Sequence, residues 1–464
     1  MSAPRHPLDL IDRARVLELL SDHLASAWDS FDRPRPREPR LGSELRARLE
    51  APLPEGPGDA EASLEDIVRV LDASVSPSRP LYTAYIGSTS LEAGVLAGAL
   101  TNAYDVNLAA SAGAAELLEQ QALSWVGQFI GYPLQDGAFT SGGMTSNLTA
   151  LVAAREHALP GARFTGIGGR LAAVYCSDEA HHSIARAVEV IGLGSDALRR
   201  IPIDAHRRLR ADVLADILAD DLRAGVTPVA VAATAGTTLT GAIDPLAEIA
   251  DICARHDVWL HVDAAYGGPA AGVAELAPQF AGIGRADSVT VDAHKWLGVQ
   301  KSCSVVMLAR EGALERAFGH DERYMLSGVA THGVSRTLEY SRPVRSLKLW
   351  FAFQIYGAAM LRRWILETVT HAGTVARWVT AQPQFELVAE PSLSIVCFRH
   401  LGAGDLNEHN LRLAQALVQD GRVYLAPAVV DDKACLRVCF TNFRTDAADV
   451  EEMLRVVDEV AGTL

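Results

Sequence analysis

The chain has 464 residues, of which 49% are hydrophobic and 21% are charged, and its formal net charge is −15. This length and apolar content suffice for a large core divided among roughly two or three domains. The acidic balance and the lack of a basic stripe argue against binding to the phosphates of a nucleic acid.

The first residues carry charged side chains before any apolar run develops, which does not fit a signal peptide. No uninterrupted apolar stretch reaches about 18 residues, so we expect a soluble, cytoplasmic protein that does not cross a membrane. The six cysteines form no CxxC pair, and Cys435 and Cys439 lack the second pair that a zinc site needs. We therefore expect free, buried thiols in a reducing compartment.

Apolar residues at helical spacing predict a helix within the first 30 residues and a second one at 43–49, separated by a linker rich in proline and arginine. Ser63, followed three residues later by Asp66, has the pattern of a capped helix start. This region has few core-forming runs of its own. We expect that it packs on a larger body, such as a second subunit.

An aromatic, turn-rich segment follows at 79–88, and helices are predicted at 91–100 and 114–130. Side chains in and near this segment form a candidate pocket for an aromatic or large aliphatic substrate; core or dimer contacts are the alternative. The pocket residues that we assign are Tyr85, Ser88, Tyr104 and Val106.

Gly142 and Gly143, flanked by hydroxyl residues, precede a helix that is predicted to run through Ala154. Backbone N–H groups are free at a helix N-terminus, and the helix dipole favours a phosphate there. An ordinary capped loop is the alternative interpretation.

Short apolar runs then alternate with helical ones, which predicts a parallel sheet covered on both faces. Asp244 and Pro245 have the pattern of a cap and first residue of the helix at 244–255. The other predicted elements in this part are strands at 171–177, 228–234, 259–263, 288–291 and 304–308 and a helix at 185–193.

After residue 312 the pattern changes to a small α+β domain. It opens with a mobile loop at 327–340 and a long helix at 346–369. The remaining predicted elements are strands at 385–389, 393–398, 423–426 and 434–440 and helices at 407–418 and 447–460.

Two strand ends of the predicted sheet carry complementary groups, Asp263 on one and His294 and Lys295 on the other. The carboxyl ends of parallel strands are where open α/β sheets bind ligands. A lysine can form a Schiff base with an aldehyde, and a carboxylate can keep a pyridine nitrogen protonated. Pyridoxal phosphate requires both groups, although a structural Asp–Lys ion pair is the alternative from these two residues alone.

Further groups follow other predicted strands. His181 could stack on a flat ring, and Thr237 and Thr238 could bond a ring substituent or a phosphate. A surface histidine or a satisfied loop histidine is the alternative for His181. The occurrence of all these groups in this order is harder to explain without a cofactor.

At these residues the sequence resembles the group II pyridoxal-phosphate decarboxylases, the family of aromatic-L-amino-acid decarboxylase. The 32-residue spacing between Asp263 and Lys295 is similar to the family's, and the resemblance spans roughly residue 63 to the C-terminus. The motifs that carry it are Ser-Asp-Glu-Ala-His at 177–181, Ala-Gly-Thr-Thr at 235–238, His-Val-Asp-Ala-Ala-Tyr at 261–266, Ala-His-Lys-Trp-Leu at 293–297 and Arg-Ser-Leu-Lys-Leu-Trp at 345–350.

The resemblance implies an α/β fold of fold type I, similar to aspartate aminotransferase, with a mostly parallel central sheet. It also implies a homodimer. The implied parts are an N-terminal helical arm at 1–86, a large domain that binds pyridoxal phosphate at 87–345 and a small C-terminal α+β domain at 346–464.

The family's residue roles carry over to matching positions. Lys295 is implied to form the Schiff base, Asp263 to bind the pyridinium nitrogen, and His181 to stack on the ring and donate a proton. The implied cofactor contacts are Gly143, Met144, Thr145, His181, Thr238, Asp263, Ala265, Asp292, His294 and Lys295.

Three positions depart from the family pattern. Met144 stands where a serine or threonine is usual, and Thr145 is the candidate to replace the lost hydroxyl. Asp292 stands where asparagine is frequent, which adds a negative charge near the phosphate. The position of a loop tyrosine that donates a proton in many members is held by His332 or Gly333, and Tyr340 lies too near the end of the loop to match.

The leading prediction is decarboxylation of a small-molecule L-amino acid to the amine and CO2 through a Schiff base on Lys295, with His332 as a further catalytic residue. Family members without the loop tyrosine can instead consume O2 and release an aldehyde, so an aldehyde synthase is the first alternative. Another fold-type I reaction, such as an aldol-type lyase or a transaminase, is the second. A binding or structural role would be expected only without Lys295.

Overall fold

The computed structural model describes residues 11–32, 41–87, 89–109, 112–320 and 333–464. The α-helices of these residues are α1 (Arg13–Phe31), α2 (Ser43–Leu49), α3 (Ala60–Asp72), α4 (Glu92–Tyr104), α5 (Ala114–Ile130), α6 (Gly143–Ala158), α7 (Ala162–Thr165), α8 (His182–Val190), α9 (Ala211–Arg223), α10 (Leu246–His256), α11 (Ala313–Phe318), α12 (Ser346–Ala381), α13 (Leu406–Asp420) and α14 (Ala447–Ala461).

The strands form two separate sheets. They are β1 (Asp136–Thr140), β2 (Ala172–Ser177), β3 (Leu198–Ile201), β4 (Thr227–Thr234), β5 (Trp259–Asp263), β6 (Ser288–Val291), β7 (Ser304–Leu308), β8 (Phe385–Leu387), β9 (Ile395–His400), β10 (Ala426–Val430) and β11 (Lys433–Cys439). Short 3-10 helices lie at Ser195–Ala197, Gly268–Gly272, Ala277–Phe280, Ile283–Arg285 and Gly333–Arg336.

The central sheet has seven strands in the order β1-β7-β6-β5-β4-β2-β3. β7 runs antiparallel to both of its neighbours, and the other pairs are parallel, so the prediction of a mostly parallel sheet is confirmed. Antiparallel neighbours need no crossover helix. The chain therefore passes from β6 to β7 through a short loop, and this loop carries Lys295.

Apolar clusters cover both faces of this sheet, as the strand–helix alternation predicted. The residues of each strand alternate between the two faces. In β5, Leu260 and Val262 join the larger cluster, whereas Trp259 joins the cluster under α6 and α8. Asp263 is four residues after Trp259 and therefore lies on the same face, towards α6.

The second sheet is antiparallel, with the order β10-β11-β9-β8, and it forms the expected small C-terminal α+β unit. α12 and α14 pack on one another, and a third apolar cluster joins them to this sheet. α12 is longer than the predicted helix at 346–369. Gly357 has non-helical angles, with φ of 68°, so that α12 consists of two helical pieces joined at this residue.

The predicted cap at Ser63 is wrong. α3 begins at Ala60, and the carboxylate of Asp59 accepts a hydrogen bond of 2.8 Å from the Ala62 N–H. Asp59 is as good a cap as serine and comes earlier in the chain, so the helix begins there. Ser63 lies inside the first turn, where its hydroxyl donates to the carbonyl of Asp59.

The predicted cap at Asp244 is also wrong. α10 begins at Leu246, and the buried Asp244 carboxylate accepts hydrogen bonds of 2.7 Å from the backbone N–H groups of Leu209 and Thr234. Burial raises the pKa of Asp244 to about 6. Its side chain thus joins the end of β4 to the segment before α9 and leaves the helix end uncapped.

The predicted loop at 327–340 is only partly described, because residues 321–332 lie outside the described part of the chain. Residues Gly333–Arg336 form a 3-10 helix with Val334 and Ser335 buried, so the loop prediction is wrong for this turn, whereas 337–340 have no helix or strand, as predicted. All six cysteines fall in the described ranges, where they are buried and form no disulfide. No helix within those ranges is long and apolar enough to cross a membrane.

Candidate active site

Lys295 lies on the short loop after β6, beside a buried carboxylate. Its Nζ is 3.0 Å from Oδ2 of Asp292, and Nε2 of His294 is 3.7 Å from the same oxygen. Burial lowers the pKa of His294, and the nearby Asp292 opposes this effect. The loop therefore presents an amine paired with a carboxylate that is only 2% exposed.

Asp263 ends the neighbouring strand β5 and is also buried. Its Oδ2 accepts a hydrogen bond of 2.8 Å from Asn147 Nδ2, and its Oδ1 accepts one of 3.1 Å from the Ala265 N–H. No ion pair joins Asp263 to Lys295 among the described residues, since Lys295 pairs with Asp292. The two groups are thus held independently, and the simple alternative of an Asp263–Lys295 ion pair is wrong.

His181 is the N-cap of α8, and its ring is held by the residue two positions on. Nδ1 of His181 accepts from the Ser183 N–H at 3.2 Å and lies 2.8 Å from Ser183 Oγ. Partial burial lowers the pKa of His181, the charge of Lys295 adds to the lowering, and Asp263 opposes it. The neutral imidazole is therefore the favoured form.

One cavity brings most of the predicted site residues together. The predicted residues that line it are Gly143, Met144, His181, Thr238, Asp263, Ala265, Asp292 and Lys295. Sequence reasoning missed Asn147, Ser183, Thr234, Gly236 and Tyr266, which line the same cavity. Tyr266 belongs to a quoted motif, and the helical spacing from Gly143 to Asn147 would have placed this amide on the same side of α6.

Some predicted residues do not line this cavity. The Thr145 hydroxyl lies 2.9 Å from that of Ser141, and the buried Thr237 hydroxyl is used within its own turn, with Thr240 and Ala242. Nδ1 of His294 lies 2.9 Å from the Cys303 carbonyl, to which it donates.

The candidate substrate residues lie elsewhere in the single chain. Tyr85 and Tyr104 are 57% and 78% exposed, Val106 is half-buried, and none of them lines the cavity. Ser88 and His332 lie outside the described residues. Their assignment to the substrate pocket or to catalysis stays a prediction.

The residues around the cavity fit pyridoxal phosphate. An amine on a loop and a buried carboxylate at a strand end match the aldehyde and the ring nitrogen, and the N-terminus of α6 offers backbone N–H groups to a phosphate. Gly143 keeps this end of the helix open, because a Cβ there would lie 2.8 Å from Asp292 Oδ2. Oδ1 of Asp292 is buried without a hydrogen-bond partner among the described residues, so a donor is still missing at this point.

Comparison with known proteins agrees with this geometry. Residues 43–401 match the model of the pyridoxal-dependent decarboxylase conserved domain. The chain is 31% identical over 462 residues to the aromatic-L-amino-acid decarboxylase of Bacillus atrophaeus. The aligned region covers 96% of this chain and 93% of that protein.

Solved structures show the same fold over the whole chain. The structure of Oryza sativa TDC with PLP and tryptamine has a TM-score of 0.92 and 26% identity, with 99% of both chains covered. The structure of Rhodiola rosea 4-hydroxyphenylacetaldehyde synthase has a TM-score of 0.89 and 26% identity, with 99% of this chain and 100% of that one covered. The chain is a pyridoxal-phosphate-dependent carboxy-lyase and belongs to the family of pyridoxal-dependent amino-acid decarboxylases.

Proposed function

We propose that the protein converts an L-amino acid to the corresponding amine and CO2, with the cofactor attached covalently through Nζ of Lys295. The observation that supports this most directly is that Lys295, on the loop after β6, and Asp263, at the end of β5, line one cavity. Pyridoxal phosphate supplies an aldehyde and a ring that accepts the electron pair left when the carboxylate departs.

Asp263 would hold a proton on the ring nitrogen of the cofactor. Its two oxygens each accept one N–H from the protein, from Asn147 and Ala265, so the carboxylate has a fixed orientation. A preorganised charge of this kind stabilises charge that develops during a reaction without having to reorganise.

His181 would donate a proton from Nε2 to the substrate carbon. Nδ1 is occupied by the Ser183 N–H, so a neutral ring carries its proton on Nε2. Burial lowers the pKa of His181, so a protonated ring at this position gives up a proton readily.

Met144 leaves the phosphate site one hydroxyl short of the family pattern, and we propose that Ser141 and Thr145 replace it together. Their two hydroxyl groups share one hydrogen bond of 2.9 Å. One hydroxyl hydrogen of the pair is therefore left for a phosphate oxygen.

A second candidate function is the O2-consuming release of an aldehyde. It is favoured because His332 or Gly333 stands at the loop position where many family members have a tyrosine that donates a proton. Gly333 can hold no proton donor, since even a Cβ would lie 2.1 Å from the carbonyl oxygen of Leu108. Tyr340 does not line the cavity. One structural relative is moreover the 4-hydroxyphenylacetaldehyde synthase of Rhodiola rosea.

An oxygen electrode run with a panel of amino acids, together with CO2 and product analysis, tests the proposal. We expect CO2 and amine in equal amounts without O2 uptake, because His181 can deliver the proton that completes the amine. O2 uptake in step with CO2, with aldehyde as product, would instead establish the second candidate.

We further propose a cytoplasmic homodimer with the domain boundaries 1–86, 87–345 and 346–464. The arm helices α1, α2 and α3 contain no buried residue, which supports the idea that they pack on another subunit. The exposed Tyr104 would then contact the partner, because the family resemblance implies that the segment 104–107 enters the partner's active site.

A further inference from the structure

A buried asparagine lies between the two groups that are proposed to act on the cofactor and the substrate. β5 directs the side chains of His261 and Asp263 to the same face, two residues apart. α6 crosses this face and places Asn147 over both of them. Asn147 is 1% exposed and His261 is fully buried.

The Asn147 amide makes three hydrogen bonds. Nδ2 donates to Asp263 Oδ2 at 2.8 Å and to Ser183 Oγ at 2.8 Å, and Oδ1 lies 3.0 Å from His261 Nε2. A reversed amide would bring Oδ1 against the carboxylate of Asp263, where it has no hydrogen to offer. The orientation in which Nδ2 of Asn147 faces Asp263 is therefore the one that satisfies every group.

His261 fixes this orientation. Burial lowers the pKa of His261 to about 4, so that the ring is neutral and has one donor and one acceptor nitrogen. Because Oδ1 of Asn147 can only accept, Nε2 of His261 carries the proton. Nδ1 then accepts from the hydroxyl of Ser288 at 2.9 Å, and Ser288 Oγ in turn accepts from Trp259 Nε1 at 2.8 Å.

The same chain reaches His181 on the other side. Ser183 Oγ accepts from Asn147, so its own hydrogen is free to donate to His181 Nδ1 at 2.8 Å. The backbone N–H of Ser183 points to the same nitrogen. Each member of the chain donates in one direction, from Trp259 to His181 and Asp263.

We propose that Asn147 is a positioning residue that orients the Asp263 carboxylate with one amide hydrogen and, through Ser183, the His181 ring with the other. His261 acts one step earlier by fixing which way the amide faces. This inference rests on the proposed roles of Asp263 and His181 in decarboxylation. It adds that the two groups are aligned by one shared amide, so that disturbing it affects both.

The first test substitutes Asn147→Leu, which keeps the size of the side chain and removes both donors. In cofactor-free protein labelled with [15N]histidine, we expect the His181 Nδ1 resonance to move, because Ser183 Oγ loses the donor that directs its hydrogen to this nitrogen; the signal is assigned by its loss in His181→Gln. In the holoenzyme, kcat should fall by about 10²-fold, the lower end of what a positioned general acid contributes, with KM little changed.

Thr149→Val is the matched control. Thr149 is on the same helix and equally buried, and its hydroxyl bonds only a helix carbonyl, that of Thr145. We expect this variant to keep the His181 resonances and kcat of the natural protein. Unchanged His181 resonances in Asn147→Leu would overturn the proposal.

A second pair of variants decides the question even if Asn147→Leu fails to fold. The amide of His261→Gln reaches the place of Nε2 and can still donate to Asn147, whereas that of His261→Asn reaches only the place of Nδ1. We expect the glutamine variant to retain the His181 Nδ1 resonance and most of kcat, and the asparagine variant to shift this resonance and lose most of kcat. Equal behaviour of the two would refute the role of His261.

The NMR readout uses cofactor-free protein and needs no turnover. If the His181 resonances respond as expected but no amine is formed on any amino acid, the proposed function fails while the inference about Asn147 stands. If amine is formed but the resonances do not respond, the proposed function stands and the inference about Asn147 fails.

Discussion

At the scale of single residues, Lys295 is the group on which covalent attachment of the cofactor depends. Lys295→Ala should abolish the visible absorbance of the protein with pyridoxal phosphate and its sensitivity to borohydride, since no other amine lines the cavity among the described residues. Absorption spectra before and after borohydride provide the measurement. Lys301→Ala, on the same loop but exposed, is the control and should remain yellow. A yellow, borohydride-sensitive Lys295→Ala protein would show that another amine holds the cofactor.

Asp292 places a buried negative charge where the family often has asparagine. Asp292→Asn should tighten binding of pyridoxal phosphate by about tenfold, which corresponds to about 1.4 kcal/mol. The change removes a like charge near the phosphate and releases Lys295 from its 3.0 Å ion pair, so that Nζ is free to meet the aldehyde. Absorbance titration of the cofactor-free protein gives the dissociation constant.

Pyridoxal, which lacks the phosphate, separates the two causes. If repulsion of the phosphate dominates, the Asp292→Asn substitution should affect pyridoxal much less than its phosphate ester. Weaker binding of the phosphate ester would mean that Asp292 helps to hold the cofactor, and the predicted sign would be wrong.

The sequence predicted the reactive side chains better than their supports. Lys295, Asp263 and His181 follow strand ends, and strand ends meet at one edge of a parallel sheet, so these residues could be predicted to lie close together. Asn147 was missed although its helical spacing from Gly143 puts it on the same side of α6. Its bonds to Asp263 and Ser183 could not be predicted, because these partners are far apart in the chain. The exposure of Tyr104 likewise depends on packing that a local pattern does not contain.

At the scale of elements, the N-terminus of α6 must approach the loop after β6 closely. Gly143→Ala should weaken binding of pyridoxal phosphate by at least tenfold, because the new Cβ would lie 2.8 Å from Asp292 Oδ2 and push the loop away. Gly142→Ala is the control. Its Cβ would meet only His294, at an ordinary 3.8 Å, and its φ of 175° is open to alanine. Equal affinities for the two variants would contradict the close approach of helix and loop.

β5 carries a buried histidine into the centre of the sheet, which makes this element sensitive to acid. The pKa of His261 is about 4 in the folded chain, below the ordinary value of 6.5, because burial disfavours the charged ring. The unfolded chain therefore binds a proton that the folded chain does not. The stability contributed by the neutral ring is complete above pH 6.5 and is lost as the pH falls towards 4.

His261→Gln should remove this acid sensitivity. Between pH 7 and pH 4.5 the natural protein should lose about 2 kcal/mol of unfolding free energy relative to the variant, as expected from the two pKa values. Urea unfolding of the cofactor-free proteins at both pH values measures the difference. A pH-independent difference would show that burial does not lower the pKa of His261.

The elements themselves were predicted where periodicity is strong. β6 and α5 have the predicted bounds, and the strand–helix alternation predicted the parallel sheet. β1, β3 and α9 were missed, and both predicted caps were wrong. The Asp244 side chain accepts hydrogen bonds from two backbone N–H groups elsewhere in the chain. These tertiary contacts decide its orientation, although the local pattern resembles that of a helix cap.

At the scale of the whole molecule, the arm is the part that the single chain does not stabilise. Side-chain contacts hold the end of α1, among them one from Arg79 Nη1 to the Ser30 carbonyl at 2.7 Å and one from Arg444 Nε to Asp32 at 3.2 Å. The helices themselves bury no residue, and short helices without an apolar contact are marginal in water. The arm therefore needs a further surface to pack against.

The proposed surface is a second copy of the chain. α3 exposes Ile67 and Leu71, which are 55% and 66% accessible and lie four residues apart on one helix face. We expect the natural protein to be a dimer at micromolar concentration. The double substitution Ile67→Glu and Leu71→Glu should weaken the dimer by about 10²-fold or more, because burial of each such side chain is worth about 1.5–3 kcal/mol.

Sedimentation velocity over a range of concentrations measures the dissociation constant, and activity at each concentration shows whether the dimer is the active form. Leu222→Glu, an exposed leucine on α9, is the control and should leave the dimer intact. If the exposed Tyr104 contacts the partner near its active site, activity should fall in parallel with the dimer fraction. A natural protein that is monomeric and fully active at micromolar concentration would contradict both the dimer and the role of the arm.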